Sequence, residues 1–182
     1  MNKLINLIKN RRTCRNFSEK EVSESDVKQI LECALSAPSG MNYQTWSFIA
    51  IMNREKIQRL ATAVGKALNR GTGYNMYNPS VLILTTNDKE SRFREVDNAC
   101  AMENIYLAAN SFGLGCVWIN QVKDCFDVPE VRQFLTDFGI PENHGVYGCA
   151  AIGYPAGDPR PKEITAVAKI VEDMRAEADM QG

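Results

Sequence analysis

The chain has 182 residues, 45% hydrophobic and 24% charged, with a formal net charge of -1, a balance that suits one globular domain with its own core. That charge and a pI near 5.9 exclude a general nucleic-acid or anionic-membrane binder. No apolar run approaches the roughly 20 residues of a membrane-spanning helix, and residues 1–9 do not read as a signal peptide, so a cytoplasmic location is expected.

Leu4, Ile5, Leu7 and Ile8 recur at helical spacing up to the Arg11-Arg12 pair. A second helix is predicted from the capping-box-like start at Ser23, carried by Val27, Ile30, Leu31, Ala34 and Leu35. Residues 46–52 read as a strand, and Asn53 as the cap of a helix carrying Ile57, Leu60, Ala61, Val64 and Leu68. Residues 69–79, rich in Gly, Asn and Tyr, read as a loop. Residues 80–86 read as a buried strand, apolar without alternation. A long helix over about 95–112 ends at Gly113, followed by a short strand at 116–119. Asp127 and Pro129 suggest the cap and first turn of another helix, ended by Gly139. Residues 145–153 read as a glycine-punctuated strand, and the tail from Ile164 through Val167, Ile170, Val171 and Met174 as an amphipathic helix. Four strands among six helices, without repeat or linker, make one domain over 1–182.

Six dispersed cysteines without C-x-x-C, and His144 as the only histidine, read as reduced, mostly buried thiols rather than a metal site or a Cys-His or Ser-His-Asp machine. No G-x-G-x-x-G or P-loop pattern follows a strand, so any nucleotide-like cofactor must be held by other means.

Four segments stand apart. Residues 11–17 (RRTCRNF) gather three guanidiniums and a hydroxyl at a helix end, matched to phosphate oxygens or, alternatively, to the helix dipole. Residues 37–46 (APSGMNYQTW) join a helix to a strand through a glycine and two carboxamides. Such a mixture suits the C=O and N–H edge of a planar heterocycle, although a plain polar loop also accounts for it. Residues 113–121 (GLGCVWINQ) follow the long helix, with Trp118 equally at home in a core. Residues 153–162 (GYPAGDPRPK) form an extended, basic, proline-rich exit from the last strand.

Together these segments, R-R-T-x-R-x-F, A-P-S-G-x-N-x-Q-x-W-x-F, G-L-G-C-x-W-I and A-x-x-G-Y-P-x-x-x-P-R-P-K, resemble the nitroreductase family in sequence order, from about residue 10 to 162. The resemblance implies an α+β fold, a three-layer sandwich with a mainly antiparallel sheet flanked by helices, in an intertwined homodimer with FMN at the interface. Arg11, Arg12 and Thr13 match positions that hold the FMN phosphate and ribityl chain, and Arg15 a cation near the pyrimidine edge. Pro38, Ser39, Gly40, Asn42 and Gln44 match the loop that the partner subunit contributes. Ile119, Asn120 and Gln121 match the segment behind the ring, and Arg160 and Lys162 the late cations at the phosphate. Implied chemistry is hydride transfer from NADH or NADPH through flavin N5 to a nitro, quinone or similar electron-poor small-molecule acceptor, by a ping-pong route needing no protein acid or base. No metal, nucleic acid or membrane enters.

Departures from the family pattern are Thr45 where proline is frequent, Asn120-Gln121 where smaller residues are common, a short 69–79 loop and the helical tail. They leave open a specialised relative (flavin-degrading, dehalogenating or dehydrogenating) and a non-catalytic flavin-binding protein.

Overall fold

The computed structural model describes residues 2–158 and 161–170. In chain order the elements are α1 (Lys3–Asn10), α2 (Glu24–Leu35), β1 (Trp46–Ile51), α3 (Arg54–Ala67), β2 (Val81–Asp88), α4 (Arg94–Ser111), β3 (Gly115–Ile119), α5 (Pro129–Asp137) and β4 (His144–Gly153). Short 3-10 turns occupy Gly40–Asn42 and Gln121–Asp124.

The four strands form one sheet in the order β1-β2-β4-β3, every neighbouring pair antiparallel. Val81 and Ile83 of β2, with Ala150 and Ile152 of β4, meet α2 and α4 through Ile30, Met102 and Ile105. Leu82 and Leu84, with Cys149 and Ala151, meet α3 and α5 through Leu60, Val64, Val131 and Leu135. Both faces of the central strands are covered, which explains why β2 is apolar without alternation. The architecture is the expected α+β three-layer sandwich.

Local signals set most element ends. Ser23 Oγ accepts from Asp26 N at 3.1 Å and Asn53 Oδ1 from Lys56 N at 2.9 Å, each satisfying a helix N–H that has no partner within the helix. Gly113 and Gly139 take φ of 72° and 84° beyond α4 and α5, a left-handed conformation that costs glycine little. One cap differs from expectation. Val128 occupies the N-cap of α5 without a side-chain bond, while the Asp127 carboxylate turns to Lys89 Nζ at 2.6 Å. An interelement ion pair outcompetes the local cap there.

The tail also differs. Residues 161–170 contain no helix, and Ile164, Val167 and Ile170 stand 77%, 81% and 87% exposed. A short amphipathic segment gains most of its helical stability by packing its apolar face, and among the described residues nothing covers that face. Val171 and Met174 lie outside the described residues.

The 69–79 loop contains a feature that composition does not reveal. Met76, Tyr77 and Asn78 are consecutive left-handed residues with φ of 51°, 67° and 48°, a conformation unfavourable for side-chain-bearing residues. Met76 is buried, Arg54 Nη1 donates to Asn78 O at 3.0 Å, and Gln58 Nε2 donates to Asn78 Oδ1 at 3.1 Å. These contacts hold the turn against its intrinsic preference.

Candidate functional site

Residues 11–17 leave α1 and run beside the free edge of β3. Cys14 N donates to Cys116 O at 3.0 Å, and Thr13 pairs with Cys116 as a parallel bridge. Gly115 permits this approach, because a Cβ there would lie 2.5 Å from Cys14 Cβ. The edge contact turns Arg11, Arg12, Thr13 and Arg15 toward a cavity of about 280 Å³ that Pro161 and Lys162 also line. The structure thus unites the four N-terminal candidates with Lys162; Arg160 lies outside the described residues.

The cations are held differently. Arg12 Nη1 donates to the carbonyls of Lys9 and Arg11 at 2.7 and 2.8 Å, so its guanidinium satisfies a helix C-terminus with part of its fork. Arg11 lies over the Tyr106 ring, 4.6 Å from its centroid, with its Nε 3.6 Å from Glu103 Oε1. That Nε is buried without a hydrogen-bond partner among the described residues. An unsatisfied buried cationic donor beside further guanidiniums fits an anion entering the cavity. Burial pushes the Tyr106 hydroxyl well above its ordinary range, so Tyr106 presents a neutral ring to Arg11.

Residues 119–121 leave the far end of β3, roughly 14 Å from its start at 3.4 Å per residue. The side chain of Ile119 is buried toward α3 and α5, so only its backbone faces away from the core. Asn120 is exposed, and Gln121 Oε1 accepts from Tyr74 Oη at 3.4 Å. One edge strand therefore separates the arginine-lined cavity from the segment expected behind a ring.

The 38–44 loop lies elsewhere. It enters β1, the opposite edge strand, at Trp46, which pairs with Asn87 at the far end of β2. The width of four strands, about 14 Å at 4.8 Å spacing, separates it from β3. Cys116 pairs with Ile152, which pairs with Val81, so residues 11–15 and 38–44 occupy diagonal corners of the sheet. Within the loop Ser39 Oγ accepts from Gln44 N at 3.2 Å, and Gln44 Nε2 donates to Asn42 Oδ1 at 2.8 Å. Met41, Asn42 and Gln44 have φ of 54°, 56° and 49°. Pro38, Asn42 and Gln44 are exposed, while Gly40 N donates to Asp97 Oδ1 at 2.8 Å.

Sequence reasoning missed Asp97, Glu103 and Tyr106, which α4 aims at the loop and at Arg11. Only the acidic and aromatic residues within that long helix hinted at them. His144 stands outside the site, with Nδ1 3.0 Å from Thr86 Oγ1 and its carbonyl accepting from Arg132 Nη1 at 3.0 Å. Burial lowers its pKa below 6.5, aided by Arg132 and opposed by Asp88. As pH falls through about 6.5, the unfolded chain takes up the proton before the folded one, so stability declines from that point downward. His144→Gln is expected to flatten this slope in urea-unfolding series at about pH 7, 6 and 5; an unchanged slope would contradict the assignment.

Among the described residues no helix is long and apolar enough to cross a membrane, and no cluster of three or more His, Cys, Asp or Glu is arranged to hold a metal. The sequence model of the Nitroreductase family matches residues 8–154. An Archaeoglobus fulgidus protein with the provisional name NADH dehydrogenase/NAD(P)H nitroreductase is 32% identical over 160 residues, covering 85% of this chain and 87% of the relative. The crystal structure of a Bacteroides fragilis nitroreductase with bound FMN superposes with a TM-score of 0.85 at 37% identity, covering 94% of this chain and 100% of that one. A Desulfitobacterium hafniense nitroreductase with bound FMN gives 0.79 at 25% identity, covering 92% and 100%. With the family model spanning most of the sequence and the fold shared over 94% of it, the chain belongs to the nitroreductase family.

Proposed function

We propose that the protein is an FMN-dependent oxidoreductase that takes reducing equivalents from NADH or NADPH and delivers them to a nitro, quinone or similar electron-poor acceptor. The supporting observation is the cavity at Arg11, Arg12, Thr13, Arg15 and Lys162, with the buried, unsatisfied Arg11 Nε beside it. That donor set fits a phosphate monoester. When bound, FMN supplies the hydride chemistry that the side chains lack.

Each group then has a defined task. Arg12, Thr13 and Lys162 hold the phosphate, and Arg11 adds its charge from the Tyr106 face. Arg160, outside the described residues, joins this set by the family resemblance. Arg15, at the same cavity, extends positive charge toward the pyrimidine edge, where it stabilises anionic character electrostatically. The backbone of Ile119, Asn120 and Gln121 backs the ring. Pro38, Ser39, Gly40, Asn42 and Gln44 supply ring-edge donors and acceptors from a second subunit.

The homodimer is part of this reading. The diagonal separation keeps the loop from reaching its own chain's cavity. α1 has no buried residue, and Leu4, Ile5 and Ile8 on it, with Leu35 of α2, are exposed. Such a stripe needs a partner, and a second copy supplies one. Ile164, Val167 and Ile170 extend the same requirement into the tail. A cytoplasmic setting with reduced thiols is consistent with the six free cysteines among the described residues.

The protein is expected to purify yellow or take up added FMN, and to bleach when NADH or NADPH is added without oxygen. A colourless protein that takes up no FMN would refute the reading. A flavin that binds tightly yet stays oxidised with both donors would instead identify a non-catalytic flavin carrier.

A further inference from the structure

We infer that Asp97 is the positioning residue of the ring-binding loop, setting the conformation of residues 38–44 from the first turns of α4. This inference rests on the flavin-binding reading above and names a residue that lies outside all four sequence motifs. Asp97 is 3% exposed, and its Oδ1 accepts the Gly40 N–H at 2.8 Å. This is the only side-chain bond tying the loop backbone to a helix of the core, among the described residues. A carboxylate acceptor makes that bond shorter and stronger than a neutral one.

Two further observations show that the loop is set against its own preferences. A Cβ on Gly40 would overlap the Phe93 ring, which precedes α4 directly. Met41, Asn42 and Gln44 also adopt left-handed φ without being glycine. A strained loop keeps one shape only where its surroundings fix it. Here Phe93 limits the approach from one side and Asp97 binds the backbone. The exposed Asn42 and Gln44 carboxamides are thereby locked to one another and presented outward.

The second oxygen, Asp97 Oδ2, is buried with no hydrogen-bond partner among the described residues, and no Lys or Arg pairs with the carboxylate. Burying a carboxylate with one oxygen unpaired works against stability. The chain retains a group that is poor for folding and strong as an acceptor at the loop. Replacement by asparagine keeps an acceptor for Gly40 N–H and removes the charge, whereas alanine removes both.

The test compares FMN with riboflavin, which shares the ring and lacks the phosphate. Asp97→Ala is expected to weaken binding of both by the same factor, about tenfold or more, and to change the visible circular dichroism of bound FMN. Asp97→Asn is expected to bind both within about threefold of the parent, with a melting temperature that does not fall. Gly40→Ala, which leaves the buried carboxylate intact, should reproduce the Asp97→Ala loss by displacing the loop from Phe93. Arg12→Ala serves as the contrast, losing FMN affinity while retaining that for riboflavin. Parent-like binding of both flavins by Asp97→Ala and Gly40→Ala overturns the inference. So does an Asp97→Asn protein as impaired as Asp97→Ala, because asparagine keeps an acceptor for Gly40 N–H. If the parent binds neither flavin, the functional reading falls and this inference with it; if the parent binds and these variants bind equally, only the inference falls.

Discussion

Replacing Arg12 and Lys162 together by alanine is expected to weaken FMN binding by about a hundredfold while leaving riboflavin binding nearly unchanged. Both side chains line the cavity that also contains Arg11 and Thr13, and neither is part of the core. A hydrogen bond to a charged group contributes about 1.5–3 kcal/mol. Removing two such bonds at a partly exposed site costs about 3 kcal/mol after allowance for screening, or about two decades of affinity. Arg12 also binds the carbonyls of Lys9 and Arg11, so some fraying of α1 is expected. The riboflavin control separates that fraying from phosphate recognition, since a merely loosened fold would weaken both ligands. Fluorescence titration of each flavin reads the difference directly. Equal affinities for FMN in the double variant and the parent would remove the phosphate assignment.

A larger effect is expected when two damaged subunits are combined. One variant carries Arg12→Ala and Lys162→Ala; the other carries Asn42→Ala and Gln44→Ala. Each homodimer has two defective sites. In a mixed dimer, one site receives an intact cavity from the second variant and an intact loop from the first. Random pairing of equal amounts in a twofold-symmetric dimer makes half the dimers mixed, each with one restored site, so about a quarter of the parent's turnover should return from near zero. The prediction follows from the diagonal placement of the two motifs, which no rotation of side chains within one chain can overcome. If both motifs served one site within a single subunit, the mixture would never exceed the average of the two variants. Co-expression followed by NAD(P)H oxidation with a nitroaromatic or quinone acceptor distinguishes these outcomes.

These expectations rest on interactions that the sequence exposed unevenly. Caps at Ser23 and Asn53 are local chemistry between residues three apart, and their side chains make the anticipated bonds. The apolar run of β2 announced a strand covered on both faces, and helices cover both. Asp127 shows where local reasoning ends, because the nearby Lys89 from another element offered its carboxylate a better partner than the helix N-terminus. The tail failed for a related reason. Its spacing is helical, but amphipathic spacing describes what a surface would stabilise and does not supply the surface. Arg11 was legible as a cation and illegible as a group stacked on Tyr106 and facing Glu103, since those partners come from a helix about ninety residues away.

By itself, the sequence determined the family, the order of the elements and the identity of the cations and carboxamides, because each depends on residue type and short spacing. Only the tertiary structure decided which of them lie together. Antiparallel pairing in the order β1-β2-β4-β3 places residues 11–15 and 119–121 along one edge strand and residues 38–44 at the diagonally opposite corner. It also brings Asp97 beneath Gly40. Sheet order and helix packing arise from the burial of both faces of β2 and β4, a long-range outcome that no local motif contains.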